Sequence, residues 1–394
     1  MAESSRKQPA AGRATFEADS LELIAQMAAK DRAREEKPLS QDAHDPDRLR
    51  RVRLTRGEIA DQPRCIEETL RDERSAIQMA ASVLTRRPIT HAYLVGCGDS
   101  LAVMLAMRGL LEQLLRIPCQ PIQALEYAYY YRPADPEALV VGLTSTGWTT
   151  KVAEAILAAR MAGLRTVALS NNANAAIFSI AEIGLLVHAR RDGYPTQSST
   201  AAMALMAQLA IELAREQGMS DHDIASYQRG LDGTPSQIHD VIERHSKSVA
   251  DIAMREVEAP LFLFAGGGPS FATATIGAAK IKECTPRHAI AIEIEEYHHY
   301  LSQRAGEPLF LIAPSGPSVR RAADSMRVGR ANGGRVYGLV PQDSELLSTP
   351  SDGLLQLPTM EELLTPLVYS VPLQLLAYKL GILIGGAEEE AAKP

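Results

Sequence analysis

The chain has 394 residues, 46% of them hydrophobic and 23% charged, with a net charge of −7. That size accommodates two domains of ordinary dimensions, and the acidic balance argues against general attraction to nucleic acid or anionic membrane. No apolar run approaches the 18 residues a membrane span needs, and the N-terminus lacks the apolar core of a signal peptide, so a cytoplasmic protein is expected.

Residues 1 to 56 are polar and irregular, with one short apolar patch from Leu21 to Met27. They read as an N-terminal extension, partly disordered, although the patch is long enough for a helix that packs on the body. The folded body is expected to begin at residue 57. From Ile89 onward, short apolar runs alternate with amphipathic helical segments: HAYLVG, then LAVMLAMRGLLEQLL; ALVVGL, then KVAEAILAARMAGL; RTVALSN; IGLLVHA. Strands that are apolar throughout and separated by helices specify a parallel sheet covered on both faces, a doubly wound α/β domain whose ligands bind beyond the strand C-termini.

The pattern then repeats. Val95-Gly96-Cys97-Gly98 meets Phe264-Ala265-Gly266-Gly267 after 169 residues, and Thr144-Ser145-Thr146-Gly147 meets Ala313-Pro314-Ser315-Gly316 at the same offset. Ala162-Gly163 before Arg165-Thr166-Val167 matches Asn332-Gly333 before Arg335-Val336-Tyr337 with a slip of one. Three matches in register indicate a tandem duplication. A polar stretch with a Gly-Thr-Pro break places the boundary at residue 235, giving domains over 57–235 and 236–394.

Two turns and one helix carry candidate chemistry. Thr144-Ser145-Thr146-Gly147-Trp148-Thr149 follows a buried strand and opens a helix, so hydroxyls and free backbone N–H groups can combine into an anion site; the same hydroxyls could serve only as helix caps. Gly96-Cys97-Gly98-Asp99-Ser100 lets the backbone approach a ligand, but it is not a dinucleotide fingerprint and no Walker lysine follows it. Gln197-Ser198-Ser199-Thr200 opens a further helix. The segment Ala278 to Tyr300, AAKIKECTPRHAIAIEIEEYHHY, concentrates Lys280, Lys282, Glu283, Glu295, Glu296, His298 and His299. Carboxylates beside histidines suit proton transfer, and they suit a solvated helix equally. The four cysteines, Cys65, Cys97, Cys119 and Cys284, have neither metal-like nor disulfide-like spacing, and the histidine pair is adjacent rather than four apart. Reduced thiols, no metal and no cofactor are expected.

Over residues 57 to 385 these features resemble the sugar isomerase (SIS) domains, specifically the tandem pair in the isomerase half of glucosamine-6-phosphate synthase. The resemblance rests on GCGDS, LTSTGWTT, SST, AAKIKE, EEYHH and the C-terminal EELLTPLVYSVPLQLLAYKLG. It implies substrate-binding roles for Cys97, Gly98, Asp99 and Ser100, for Thr144, Ser145, Thr146 and Thr149, and for Ser198 and Ser199. It also implies a catalytic base at Glu283, supported by Lys280, with His299 opening the sugar ring and Glu296 assisting it. In the family that histidine reaches in from the neighbouring subunit, so a homodimer with shared sites is implied. His298, Lys282 and Glu295 are then left as surface or packing residues.

The sequence also departs from the family. Residues 1 to 56 do not read as a glutaminase domain with a leading cysteine, so release of ammonia from glutamine is not expected; Trp148 replaces an acidic residue and Ala201 replaces a lysine, so an altered pocket is expected. The chain stops soon after its last helix, where the synthase carries a lysine that forms a Schiff base; Lys393 is the one nearby candidate, in a setting that reads as a frayed end. A substrate that already carries an amine does not need that lysine. The expected activity is therefore that of the fructosamine-6-phosphate deglycases or SIS-type aminosugar-phosphate deaminases: proton transfer between C1 and C2 of a phosphorylated keto-aminosugar, with release of an aldose phosphate and an amine or ammonia. An aldose–ketose isomerase without amine release is the alternative. A non-catalytic phosphosugar sensor is the alternative of a different class, disfavoured by the retained Glu283 and His299.

Overall fold

The computed structural model describes residues 10–35, 42, 44–131, 135–300, 302–387 and 390. Two parallel five-stranded sheets form the framework. The first contains β1 (Ala92–Gly96), β2 (Cys119–Gln123), β3 (Leu139–Leu143), β4 (Arg165–Ser170) and β5 (Ile183–Leu186), in the order β2-β1-β3-β4-β5. The second contains β6 (Leu261–Gly266), β7 (His288–Glu293), β8 (Pro308–Ile312), β9 (Arg335–Pro341) and β10 (Gly353–Leu357), in the order β10-β9-β8-β6-β7. Read from the matching edge the two orders are the same, the flavodoxin-like 2-1-3-4-5. The central strands β1 and β3 are buried along their whole length, as their unbroken apolar runs require.

The helices are α1 (Ala10–Glu35), α2 (Pro46–Ala60), α3 (Gln62–Asp72), α4 (Arg74–Leu84), α5 (Asp99–Leu115), α6 (Thr150–Met161), α7 (Ala176–Ile180), α8 (Gln197–Glu216), α9 (Asp221–Glu256), α10 (Pro269–Cys284), α11 (Ile294–Tyr300), α12 (Val319–Ala331), α13 (Thr365–Tyr369) and α14 (Val371–Ile384). In each half the strand-to-helix turn is built alike. A Cβ on Gly96 would lie 2.7 Å from the backbone of Ser100, and one on Gly266 would lie 2.6 Å from that of Ser270. Gly98 and Gly268 share a φ of 55°, open to glycine at no steric cost. The structural equivalence at this turn is therefore Gly96 with Gly266 and Gly98 with Gly268, one residue beyond the 169-residue register read from the sequence.

Two other expectations change. The segment before residue 57 contains α1 and the larger part of α2, and the apolar patch inside α1 buries Ile24 and Met27 against the first domain. The expected break at residue 235 lies inside the continuous α9: Pro235 removes the N–H that would serve the Leu231 carbonyl, and the Thr234 hydroxyl donates to that carbonyl instead at 2.8 Å. In the segment Ala278 to Tyr300, α10 ends at Cys284 and is followed by β7 and then directly by α11. Lys393 lies outside the described residues.

The apolar C-terminal α14 is core, packed on α9, α10 and α2. Gly277 of α10 makes room for it: a Cβ there would lie 2.7 Å from Leu373 Cδ1. The corresponding first helices of the two halves, α5 and α10, pack on one another, and the start of α5 meets the end of α10. This contact brings residues of both halves to one point.

Candidate active site

A cavity of about 290 Å³ opens at the C-terminal ends of β1 and β3. Its walls include Cys97, Gly98, Asp99 and Ser100 from the glycine turn, Ser145, Thr146 and Thr149 from the hydroxyl loop, Ser198 and Ser199 from the start of α8, and Glu283 from α10. The N-termini of α5, α6 and α8 thus border one space. Each carries the equivalent of roughly half a positive charge, an environment that favours an anion.

The hydroxyl loop is held in shape from behind. Thr144 does not line the cavity; its Oγ1 shares a 2.7 Å hydrogen bond with Thr149 Oγ1. Trp148 N donates to Thr146 Oγ1 at 3.2 Å, and Gly147, at φ 74°, lies so near Ala175 that a Cβ would come within 2.2 Å of it. Residues after β4 close the back: Asn171 N donates to Ser145 O at 3.2 Å, and Asn172 Nδ2 donates to Thr146 O at 3.2 Å.

Asn171, Arg191 and Pro195 also line the cavity and went unread in the sequence. Arg191 and Pro195 belong to the connection from β5 to α8, which α2 supports. Glu58 accepts from Asp192 N at 2.5 Å and Gly193 N at 2.8 Å, and Thr55 Oγ1 accepts from Tyr194 N at 2.8 Å. Burial pushes the Glu58 carboxyl above its usual range, against the lowering effect of the two backbone donors.

Glu283 stands where the two halves meet. Lys280, one turn earlier on the same face of α10, is 1% exposed, and its Nζ donates both to Asp99 Oδ2 at 2.5 Å and to Glu283 Oε2. Burial by itself would push the Lys280 ammonium down, but Asp99 and Glu283 reverse this and hold it at about 12. Burial pushes the Glu283 carboxyl above the ordinary carboxylate range and Asp99 adds to the rise, while Lys280 opposes both. The result is a carboxylate on the cavity wall, made more basic than usual and fixed by an ion pair.

The remaining expected site residues lie elsewhere. Glu296 and His299 are exposed on α11 and do not line the cavity; His299 Nε2 lies 3.6 Å from Glu295 Oε1, which in turn accepts from Arg321. Trp148 and Ala201, expected to alter the pocket, are not among its walls: Trp148 packs, partly buried, on the core of the first domain with Lys30 over its ring, and Ala201 is buried within α8. All four cysteines are free thiols, and among the described residues no three His, Cys, Asp or Glu side chains gather as a metal-holding group.

The SIS domain model matches residues 87–212 and 258–384, the two sheets with their helices. The glutamine–fructose-6-phosphate aminotransferase (isomerizing) of Thermococcus kodakarensis is 29% identical over 336 residues, covering 83% of this chain and 55% of that protein. The Escherichia coli enzyme of the same name is 27% identical over 342 residues, 83% of this chain and 56% of its own. The chain thus spans about half the length of these relatives. Among solved structures, the C-terminal domain of glucosamine-fructose-6-phosphate aminotransferase from Francisella tularensis superposes with a TM-score of 0.75 at 20% identity, over 88% of this chain and 99% of that one. A glucosamine-6-phosphate deaminase from Thermotoga maritima superposes with a TM-score of 0.65 at 20% identity, over 84% and 95% of the two chains. With both of its sheets matched by one model and the hydroxyl loop and Glu283 walling one cavity between them, the chain belongs to the SIS domain family.

Proposed function

We propose that this protein is an enzyme acting on a phosphorylated keto-aminosugar, an Amadori-type 1-amino-1-deoxyketose 6-phosphate, and that it releases an aldose phosphate and an amine. The observation that carries the reading is the arrangement of Glu283, Lys280 and Asp99 across the cavity from the hydroxyl loop. The phosphate lies at the N-termini of α6 and α8 with the hydroxyls of Ser145, Thr146 and Thr149. The carbon chain then extends toward Glu283. The carboxylates of Asp99 and Glu283 meet there around one ammonium, and their oxygens can accept hydrogen bonds from a substrate amine.

Glu283 takes the proton from C1. The electrons of that C–H bond form C1=C2 while the C2 carbonyl oxygen gains a proton, giving an enamine. Return of a proton to C2 moves the double bond to C1=N, and water adds to this imine to expel the amine. A raised carboxylate pKa suits this step, because a base works best when its conjugate acid lies nearer the working pH. His299 of a second copy would handle the ring oxygen, which fits a side chain that is exposed in the single chain; the active unit is then a homodimer. Incubation of the purified protein with fructoselysine 6-phosphate and related Amadori phosphates tests the reading by assay of free amine. Interconversion of fructose 6-phosphate and glucose 6-phosphate without amine release from any of them would instead establish the isomerase alternative.

A further inference from the structure

We propose that α1, which precedes both matched domains, is a working part of the substrate loop, and that Asp31 is a positioning residue for it. The starting point is an anomaly at the start of α6. Thr149 occupies the N-cap position, where a hydroxyl ordinarily accepts a backbone N–H from the first turn. Its side chain makes no such cap bond. Its Oγ1 is instead shared with Thr144 Oγ1, at the cavity wall.

The cap comes from another helix. Asp31 Oδ2 accepts from Thr150 N at 3.4 Å and from the Thr150 hydroxyl. A carboxylate there satisfies an orphan donor of α6 and favours its helix dipole, the role an N-cap side chain plays. The neighbouring Lys30 places its Nζ 3.9 Å from the centroid of the Trp148 ring, within cation–π range. The residues on either side of Thr149 are thus gripped by adjacent residues of α1. Trp148 in turn presents its N–H to Thr146 Oγ1. Farther along, α1 is seated by buried Ile24 and Met27 and by Phe16 beneath the Arg160 guanidinium at 5.5 Å. With capping delegated to Asp31, the Thr149 hydroxyl stays at the cavity wall, paired with Thr144.

This inference rests on the phosphate reading of the hydroxyl loop, and the test separates the two. Calorimetric titration of the full chain with inorganic phosphate and with glucose 6-phosphate compares wild type, Asp31→Ala, Asp31→Asn and Phe16→Ala. The expected result for Asp31→Ala is a Kd raised ~5-fold for both ligands, the scale of losing one cap, with unchanged stoichiometry. Asp31→Asn keeps an acceptor oxygen and stays within about twofold of wild type. Phe16→Ala loosens α1 at its other end and moves Kd in the same direction as Asp31→Ala. Unchanged or tighter binding in Asp31→Ala overturns the inference alone, as does a fall in stoichiometry at constant Kd, which marks a merely structural role. A wild-type protein that binds neither ligand overturns this inference together with the phosphate reading.

Discussion

Lys280 serves two carboxylates, one from each half of the chain, and this sets the expected behaviour of the site. In the proposed reaction Glu283 acts in its ionised form, so kcat/KM is expected to rise with pH through a pKa displaced above the ordinary 4.5. Lys280→Met removes the charge that opposes this displacement, and the acidic limb of the pH–rate profile moves to higher pH. A limb that stays in place would show that Lys280 does not tune the base. The stability effect of Lys280 has the opposite pH range. Its native pKa of about 12 exceeds the free value of 10.5, so its contribution is fully present below 10.5 and is lost as pH rises through about 12. Asp99→Asn keeps an acceptor for Lys280 but removes a negative charge facing the substrate. The expected outcome is a lower kcat/KM for amine-bearing substrates, by about tenfold or more on the scale of one charge-assisted hydrogen bond, with little change in the affinity for glucose 6-phosphate. An equal loss for both would reduce Asp99 to a strut between the halves. Glu283→Gln should lower turnover by ~10²–10⁴-fold while leaving sugar-phosphate binding nearly intact, and a protein with no turnover to lose would be a sensor. At this scale the sequence spoke through residue type and spacing: Lys280 and Glu283 lie one turn apart, and the hydroxyls cluster in six residues. Asn171 and Arg191 had no such signal, because each is one polar residue in a loop whose relevance depends on how α2 and β4 fold around it.

Among the elements, the apolar runs of β1, β3 and β4 identified themselves by being buried on both faces. β2 did not: CQPIQ is short and polar, and Pro121 breaks the pattern, which the sheet tolerates because β2 is an edge strand. The glycine and proline near residue 235 are ordinary signals of a linker, yet the surrounding packing keeps α9 helical through them. Thr234 makes this possible by supplying the hydrogen bond that Pro235 cannot. Replacing it with valine preserves shape but leaves the Leu231 carbonyl without that donor in a buried position. The expected loss is ~1–3 kcal/mol of unfolding free energy, the scale of one buried unsatisfied polar group, measured by denaturant titration. Thr234→Ser keeps the donor and should retain most of the stability. No loss in Thr234→Val would mean that water or a shift of the helix meets the carbonyl.

At the scale of the whole molecule, duplication explains why one chain carries a site built from unlike parts. Both halves retain the sheet order and the glycine turn, but the first half supplies the hydroxyl loop and the second supplies Glu283, joined where α5 meets α10. Neither half alone holds both ends of the cavity. His299 remains outside it, exposed on α11, and the proposed homodimer is what brings this side chain to Glu283 of another copy. Mixing two inactive variants tests that arrangement directly. In a Glu283→Gln/His299→Ala heterodimer of a two-fold symmetric enzyme, one site loses both groups and the other regains both. Random reassortment of equal amounts then restores about a quarter of wild-type activity, half the dimers being mixed with one working site in two. If His299 serves Glu283 of its own chain, both sites of every mixed dimer stay defective and no activity returns. The sequence could supply the sixteen-residue spacing between these two groups, but spacing along a chain carries no information about which copy of the chain completes the site.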